Sequence, residues 1–494
     1  MTTTTSGAPR PDAPPDERPA PRHLVDVVAL VVLTVLVRLP AYFAERHLTF
    51  DDANFGASAI AMRAGGVPFR EVFSSQGPLF LPLVWLGDLV GLRTLSAPRT
   101  LNLLAGVLLV LVAHHLARRF TDRAGALLAA GLVAVTGSVL WVTTPVAADG
   151  PAVAFGALAI ALALPLRTRP STARAVAVGL AAGAALCTKA LLVSAVVPVA
   201  VVLLAIRRPR LLLIAAGTSI ALFGGLAVLW GVGDVVDQSI TYHLEKAGER
   251  TPGANAAKIA STLSDRDLPV LGLGGIALIL GVVGLVGDGR KRRERLAEWG
   301  QRLREPSLGA LLVVWWLATL TVLLIQVPLW RPYLAHLVVP SALLVARFRP
   351  PWKVVGLVLL VTLPYHVVHL WDYLSPPPYG PSNAALIDEL QALPDGALVI
   401  SDDTGLVWWA GRRTPDDLVD PSFLRIEAGQ ITAASVAADA AAPKVCAVVT
   451  WSDEHFLTFD DLGERLADAG YDVAKTYPGG RVLYLRPGCE PARG

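Results

Sequence analysis

Long apolar segments, separated by short polar stretches, run through the first three quarters of this chain. A helix that crosses a bilayer needs roughly 20 apolar residues, so each segment is a candidate span. The candidates are 24–44, 99–117, 124–145, 151–166, 173–188, 190–206, 211–232, 268–287, 307–327, 333–347 and 354–373. Charged residues make up only 17% of the 494 residues, against about 25% in soluble domains. The pattern predicts a polytopic α-helical membrane protein with about eleven spans.

Basic residues between these segments predict how the chain is oriented. The clusters are Arg118, Arg119 and Arg123; Arg167, Arg169 and Arg174; Arg207, Arg208 and Arg210; 290–304; and Arg347, Arg349 and Lys353. Positively charged loops stay preferentially on the cytoplasmic side. With all clusters inside, the N-terminus is cytoplasmic, and 45–98, 146–150, 233–267, 328–332 and everything after about 374 lie outside. The basic residues are thus explained by topology, and nucleic acid is not an expected partner.

One apolar segment does not fit the alternation. Pro78–Leu95 is short and is interrupted by Asp88. Counting it as a span would place every later basic cluster outside. We therefore predict a re-entrant or interfacial helix on the outer face.

The two ends of the chain differ from the apolar middle. Residues 1–23, rich in Thr, Pro and Ala, predict a disordered cytoplasmic tail, and 24–375 form the membrane module with the outer loop 45–98. Helical and strand-like segments alternate within 379–494. The predicted elements are helices at Asn383–Leu393 and Leu462–Gly470 and strands at 396–401, Val445–Trp451 and Val482–Arg486. This alternation predicts a small extracytoplasmic α/β domain.

Three cysteines are too few for a disulfide framework or a tetrahedral zinc site. Cys446 and Cys489 both lie in the outer C-terminal segment, where the compartment permits disulfides. Spacing alone does not decide between a disulfide and two unpaired thiols.

Two adjacent carboxylates, Asp51 and Asp52, follow the first predicted span. Carboxylates at a membrane face can act as a base on a hydroxyl or hold a divalent cation. The structural alternative is that one of them caps the helix expected to start near Ala53.

This outer segment resembles the polyprenyl-phosphate-sugar-dependent membrane glycosyltransferases of the GT-C fold. That group includes the protein O-mannosyltransferases and the lipid A aminoarabinose transferase. The likeness rests on the acidic pair, on Phe55, on Gly66-Val67-Pro68-Phe69-Arg70-Glu71 and on Gly77-Pro78. It implies that Asp51 is the catalytic carboxylate, with Asp52 as its acidic neighbour and Phe55 as the aromatic beside it.

Two further motifs extend the resemblance. Asp149, in Thr144–Pro151, is similar to the group's second outer acid, and the charge-based topology independently places it on the same face as Asp51. Its structural alternative is an N-cap for a helix starting at Pro151. Lys189, in Cys187-Thr188-Lys189-Ala190, resembles the group's Thr-Lys-Gly step. It is a candidate phosphate contact or, alternatively, a snorkelling interfacial lysine.

The remaining candidate contacts lie in later outer loops. Arg331 and Tyr333, in Pro328–His336, resemble the group's late His-Tyr motif and offer a cation with neighbouring aromatics. An interfacial aromatic belt is the alternative reading. His243 and Arg250 lie in the outer loop 233–267, which in the group often closes over the donor. Most of that loop's charges are also explained by solvation alone.

One position departs from the group's pattern. The aminoarabinose transferase has a lysine before its Pro-Pro step, where this chain has Gln76. A neutral amide supplies no charge to a phosphate. Contact with the lipid phosphate must then come from Lys189, Arg331 or the loop 233–267.

Acidic residues also follow the predicted strands of the C-terminal domain. They are Asp402, Asp403, Asp416, Asp417 and Asp420, with Arg425 nearby. Ligands prefer the carboxyl ends of strands in such sheets, which makes an acceptor contact one reading. Turn chemistry is the reading we favour. No glycine-rich phosphate loop stands at a strand–helix junction, so a nucleotide-sugar donor is unsupported.

Together these features predict a glycosyltransferase of the cell envelope, placed in a bacterial inner membrane. It would move a sugar from a polyprenyl-phosphate carrier to a lipid, glycan or protein hydroxyl at the outer face, with inversion. No cofactor is required by this reading, although Asp51 and Asp149 could hold a divalent cation. The alternatives are a polyprenyl-linked lipid flippase or transporter, and a membrane-anchored assembly protein. The first should carry charges near the membrane midplane, whereas here the acids cluster at the outer edges.

Overall fold

The computed structural model describes residues 21–244, 251–286, 308–348 and 350–489. The predicted tail lies outside these residues, apart from its last three, which begin the first helix. The basic cluster 290–304 and Arg250 also lie outside them.

Helices occupy most of the first 374 residues. They are α1 (Pro21–Tyr42), α2 (Phe50–Arg63), α3 (Phe80–Val90), α4 (Thr100–Ala117), α5 (Arg123–Val135), α6 (Gly137–Thr143), α7 (Asp149–Ala163), α8 (Thr172–Thr188), α9 (Val193–Ala205), α10 (Pro209–Trp230), α11 (Val232–Val236), α12 (Tyr242–Leu244), α13 (Pro252–Arg266), α14 (Leu268–Val286), α15 (Leu308–Ile325), α16 (Ala335–Phe348) and α17 (Trp352–Leu374). Short 3₁₀ turns at Ala97–Arg99, Leu164–Arg167, Ala190–Leu192 and Arg331–Leu334 link several of them, and a π-turn covers Asp237–Thr241.

Six helical segments of the described chain are long and apolar enough to cross a bilayer, or seven if the bent pair α5–α6 is one span. The six are His23–Tyr42, Ala97–Ala117, Asp149–Arg167, Pro209–Trp230, Leu308–Ile325 and Trp352–Trp371. The prediction of a multi-span helical membrane protein is therefore confirmed. The figure of eleven crossings stays a prediction, because α3, α8, α9 and Leu268–Ala277 are apolar but shorter.

The helix that begins with Asp149 lies at the centre of the bundle. About 78% of its apolar window is buried by neighbouring helices, compared with 17% for α10. Helix α7 packs against α4 and α8, and its small residues allow close approach. Asp149 is therefore placed at the outer end of the best-packed helix.

The predicted span 124–145 is two helices bent by 60°. Thr136 has extended backbone angles (φ −67°, ψ 139°) and ends α5. The first N–H groups of α6 then need other acceptors, and the Ser138 N–H donates to Asp267 Oδ1 at 3.0 Å. The break is thus stabilised by a residue that follows α13.

The segment Pro78–Leu95 contains the 11-residue helix α3. At 1.5 Å per residue this helix is about 16 Å long, roughly half the hydrocarbon thickness. Asp88 on α3 is buried and paired with Arg63 at the end of α2, with 2.5 Å between Oδ1 and Nη2. Both features fit the predicted interfacial arrangement.

Residues after 380 build a four-stranded mixed sheet. The elements are α18 (Pro381–Gln391), β1 (Leu398–Ser401), α19 (Thr404–Trp409), α20 (Phe423–Glu427), α21 (Ala433–Ala440), β2 (Val445–Thr450), α22 (Leu462–Asp468), β3 (Asp472–Tyr477) and β4 (Arg481–Leu485). The strand order is β1-β2-β4-β3, with β1 parallel to β2 and the other pairs antiparallel.

Alternate residues of the central strands pack into two separate apolar clusters. Val399 and Val449 belong to one, and Ile400 and Val448 to the other, as the two-residue period of a strand requires. Strand β3 was not predicted from the sequence, because it is an exposed edge strand in which only Tyr477 is buried.

Cys446 and Cys489 form a disulfide, with 5.4 Å between their Cα atoms. This answers the question that spacing left open. The third cysteine, Cys187, is buried and free.

Candidate active site

A cavity of about 420 Å³ opens between the outer loops of the helical bundle and the C-terminal residues. Its walls are Thr49, Phe50, Asp51, Asn54, Phe55, Ser75, Gln76, Trp141, Ala147, Lys189, Tyr242, His243, Trp330, Pro332, Tyr333, Asp420, Ser422, Phe423, Leu424, Glu454 and His455. Six of the predicted site residues are among them: Asp51, Phe55, Gln76, Lys189, His243 and Tyr333.

Asp51 reaches this cavity from the first turn of α2. Thr49 caps the helix, and its hydroxyl accepts the Asp52 N–H at 3.1 Å. The proposed capping role for an acid is therefore wrong, since the threonine before them fills it. Burial raises the pKa of Asp51 to about 6, although the nearby charge of Lys189 opposes that rise.

Asp52 points away from the cavity, which corrects its prediction as a catalytic residue. It is fully buried, and its Oδ2 lies 2.6 Å from Arg99 Nη2. Its carboxylate also accepts the backbone N–H groups of Leu48 and Val146, at 2.9 and 2.7 Å. All of these contacts tie outer segments together, so Asp52 is a structural anchor.

Asp149 is buried behind the cavity and holds two side chains. Lys189 Nζ donates to Oδ2 at 2.7 Å, and His336 Nε2 lies 2.8 Å from Oδ1. Helix α7 starts at Asp149 itself, and its N-cap position is Ala148, which makes no side-chain capping bond. The N-cap alternative for Asp149 is therefore wrong. His336 was noted in the sequence without a role.

Lys189 lines the cavity while its ammonium is held by Asp149. It ends α8, and its Nζ lies 4.6 Å from the centre of the Tyr333 ring. These two contacts fix the direction of the ammonium group. A lysine that only snorkels to the membrane interface would make neither of them.

A second cavity of about 430 Å³ adjoins the first. Gln76, Lys189, His243 and Tyr333 line both. The other walls of the second cavity are mainly apolar and come from Leu186, Ala190, Leu191, Val193, Phe223, Ile240, Leu244 and Val322. Four predicted site residues therefore form the border between a cavity that carries most of the charged and polar side chains and one whose other walls are mainly apolar.

The border is held by hydrogen bonds between outer segments. His243 Nε2 lies 2.6 Å from the Ser75 carbonyl, and Ser239 Oγ donates to the Gln76 carbonyl at 2.7 Å. The π-turn and α12 therefore fix the loop that presents Gln76.

Two predicted contacts lie elsewhere. Arg331 is exposed and outside the walls of both cavities, whereas its neighbours Trp330, Pro332 and Tyr333 line the first. Arg250 is outside the described residues. Phe55 is buried edge-on against Phe80, with 4.6 Å between ring centres, and contributes an apolar wall.

The C-terminal residues supply a wall of the cavity that the sequence pattern does not reveal. Turn chemistry holds for Asp420, whose Oδ1 accepts the Ser422 N–H at 3.2 Å, but Asp420 also lines the cavity, as do Glu454 and His455. Asp420 Oδ1 accepts a hydrogen bond from Asn54 Nδ2 at 3.0 Å, one helical turn after Asp51. The acidic residues before Pro421 are the sequence signal for this wall. Asn54, which donates to Asp420, is 366 residues away in the sequence, so the pairing itself could not be predicted.

A divalent cation bridging Asp51 and Asp149 does not match the contacts seen. Both oxygens of Asp149 are bonded to Lys189 and His336. Within the described ranges, no three His, Cys, Asp or Glu side chains are grouped to hold a metal ion.

Comparisons with known proteins bear on the fold and the class of enzyme. Residues 75–232 match the family described as dolichyl-phosphate-mannose-protein mannosyltransferase. This range contains Gln76, Asp149 and Lys189 but not Asp51. No curated protein matches the chain.

Two solved structures share the fold. The crystal structure of ArnT from Cupriavidus metallidurans bound to undecaprenyl phosphate is 14% identical, with a TM-score of 0.62 over 94% of this chain and 98% of that one. The arabinofuranosyltransferase AftD from Mycobacteria is 15% identical, with a TM-score of 0.50 over 94% of this chain and 40% of that one. The resemblance to GT-C membrane glycosyltransferases is thus confirmed, and it supports an enzyme of this type.

Proposed function

We propose that this chain transfers a sugar from a polyprenyl-phosphate carrier to an acceptor hydroxyl at the extracytoplasmic face, with inversion. One observation carries the proposal. Asp51 lies in a cavity with carboxylate, amide and hydroxyl side chains among its walls, and Lys189 stands where that cavity meets one whose remaining walls are mainly apolar. A donor made of a sugar, a phosphate and a long apolar chain needs these three environments in this order.

The carrier phosphate is assigned to the border between the cavities. Lys189 supplies a cation there, and its ammonium has three donors, of which Asp149 takes one. The isoprenoid chain would extend along the apolar walls of the second cavity. The undecaprenyl phosphate bound to ArnT, which shares the fold, supports a carrier of this chemistry.

Asp51 is assigned as the base. The acceptor oxygen would form a bond with the anomeric carbon while the bond from that carbon to the phosphate oxygen breaks. The electron pair leaves with the lipid phosphate, beside Lys189, and the hydroxyl proton passes to Asp51. Attack opposite the leaving phosphate inverts the anomeric centre.

Asp149 and His336 are assigned as positioning residues. They hold Lys189 from the side away from the cavity, so the cation is oriented before the carrier arrives. Preorganised charge of this kind costs no rearrangement when the phosphate becomes more negative.

The outer face is supported by charge and by the disulfide. The basic clusters at Arg118, Arg167 and Arg207 follow the C-terminal ends of α4, α7 and α9, whereas Asp149 and the cavity residue Val193 begin α7 and α9. The C-terminal residues that line the cavity belong to the segment that holds a disulfide, which is typical of an oxidising compartment.

A transfer assay tests the proposal. Purified wild type, Asp51→Asn and Asp460→Asn, in lipid, receive radiolabelled polyprenyl-phosphate sugars and a membrane acceptor extract. Asp460 is exposed and outside the cavity, so its variant controls for loss of a carboxylate. We expect wild type and Asp460→Asn to move label to an acceptor, and Asp51→Asn to lose at least about a thousandfold in rate.

An Asp51→Asn enzyme with near-normal transfer would contradict the assignment of the base. Carrier that crosses the bilayer with its sugar attached would instead support the flippase alternative.

A further inference from the structure

The C-terminal residues form a separate wall of the first cavity. Asp420, Ser422, Phe423, Leu424, Glu454 and His455 line it, and none of them lines the second, apolar cavity. This wall is therefore apart from the border assigned to the carrier phosphate. Its chemistry bears on the other substrate.

Aromatic surfaces flank this wall on two sides. Phe50 and His455 are stacked, with ring centres 5.5 Å apart and an angle of 15° between planes. Trp330 and Phe423 meet edge to face at 6.0 Å. Aromatic faces accommodate the C–H faces of a sugar ring, which are apolar, while the ring's hydroxyls point outward.

His455 carries a polar atom that the protein does not satisfy. The side chain is only 6% exposed, and among the described residues its Nδ1 has no hydrogen-bond partner. This nitrogen is itself enclosed by protein, so what His455 offers to the cavity is ring surface.

The charge of the wall restricts the ligand. Asp420 and Glu454 add two carboxylates to a cavity that already holds Asp51, whereas the cation Lys189 lies at the border with the second cavity and is paired with Asp149. Carboxylates accept hydrogen bonds from hydroxyls but repel phosphate and carboxylate groups at short range.

We infer that this wall is an acceptor subsite for a carbohydrate without anionic groups. The inference rests on the proposed function, which it deepens by naming the acceptor class. Glu454 and Asp420 accept hydrogen bonds from the sugar hydroxyls, and the rings of the two aromatic pairs contact the faces of the sugar ring.

The subsite is bonded directly to the helix that carries the base. Asn54 donates to Asp420, and Thr404 Oγ1 donates to Asn54 Oδ1 at 3.0 Å. Asn54 stands three residues after Asp51 on α2. A hydroxyl held by the wall is therefore fixed relative to Asp51, which is the requirement for efficient attack.

Saturation-transfer difference NMR on the full chain in lipid nanodiscs, without donor, tests the subsite. The probes are neutral oligosaccharides of about two to four sugars and oligosaccharides of the same lengths that carry carboxylates. We expect saturation transfer to the neutral set alone. Glu454→Gln should weaken binding about tenfold, because it replaces a charged acceptor.

Glu464→Gln is the matched control, since Glu464 is exposed and outside the cavity. It should bind like wild type. Equal binding of the acidic set, no binding of the neutral set, or neutral binding unaffected by Glu454→Gln would each overturn the subsite.

The proposed function is judged separately, by consumption of the labelled carrier. A chain that consumes carrier but transfers its sugar to peptide or lipid, with no oligosaccharide binding, retains the proposed function and loses the carbohydrate acceptor. Oligosaccharide binding without carrier consumption would retain the carbohydrate subsite and contradict the proposed function.

Discussion

Asp51 and Asp52 are neighbours in the sequence but lie in different environments, because one step along a helix turns the next side chain to another face. Successive residues of an α-helix are rotated by about 100°, so Asp51 and Asp52 cannot face the same side. Asp51 turns toward the cavity, and Asp52 turns toward Arg99, which is fully buried. The acidic pair that looks like one feature in the sequence separates into a cavity residue, which we propose as the base, and an anchor.

The raised pKa of Asp51 leads to a pH prediction. If its ionised form is the base, activity should fall about tenfold per pH unit below about pH 6, because the protonated carboxyl cannot accept a proton. Transfer rates at saturating carrier across that range would show the midpoint. In Lys189→Met, which loses an opposing positive charge, the midpoint of any residual activity should move upward. A rate that stays flat down to pH 4 would contradict this role.

A second prediction separates the two acids by stability. Asp52→Asn leaves the Arg99 guanidinium buried without its carboxylate, which typically costs 3–5 kcal/mol, about the stability of a marginal domain. Thermal unfolding in detergent, followed by tryptophan fluorescence, should show a clear fall in Tm. Asp51→Asn should unfold near the wild-type temperature, because its carboxylate has no comparable ion pair. Equal Tm values for the two variants would refute the division of roles.

Helix α2 is one of the elements that join the helical bundle to the C-terminal residues. It lies over the interfacial helix α3 on one side and meets α19 of the C-terminal residues on another. The approach to α19 is close because Gly56 has no Cβ. Arg99 strengthens the same junction, since its guanidinium lies 5.5 and 5.3 Å from the ring centres of Trp408 and Trp409.

The close approach of α2 to α19 predicts that one methyl group added at position 56 lowers the stability of the protein. A Cβ at Gly56 would lie 2.5 Å from Trp408 Cδ2, so Gly56→Ala must push α19 away from α2. Overpacking of this kind costs about 1–3 kcal/mol, and the displaced wall should also weaken acceptor use. Thermal unfolding and the acceptor KM would both report it.

Gly131→Ala provides the matched control, because a Cβ there meets no atom within 4 Å. Its Tm should be unchanged or slightly higher, as expected for alanine in a helix. A Gly56→Ala variant as stable and active as Gly131→Ala would show that the junction tolerates separation.

The complete cavity is assembled from parts of the chain that are far apart. The first outer loop supplies Asp51, the end of α8 supplies Lys189, and the C-terminal residues supply Asp420 and His455. No single segment contains a site. The arrangement requires that all of these parts lie on one side of the membrane.

A labelling experiment tests that requirement. In right-side-out membrane vesicles, a membrane-impermeant maleimide should modify a cysteine introduced at the exposed position 460 (Asp460→Cys) of a chain that also carries Cys446→Ser and Cys489→Ser. A Cys446→Ser/Cys489→Ser chain, which retains only buried Cys187, should stay unlabelled. Labelling that needs inverted or permeabilised vesicles would place the C-terminal residues inside and overturn the topology.

The amino-acid sequence by itself determined the membrane class, most helices and the strands of the sheet core, and it singled out Asp51 and Lys189 as candidate site residues. These follow from local properties: apolar length, charge between segments, and the two- and 3.6-residue periods. Tertiary structure alone decided that Asp149 holds Lys189 with His336, that Asp52 belongs to Arg99, that the cysteines pair, and that Asp420 and His455 join the cavity. Those contacts join residues between 40 and 366 positions apart. Local sequence patterns carry no information about contacts between residues so far apart in the chain, because these contacts depend on how whole helices and the sheet pack together.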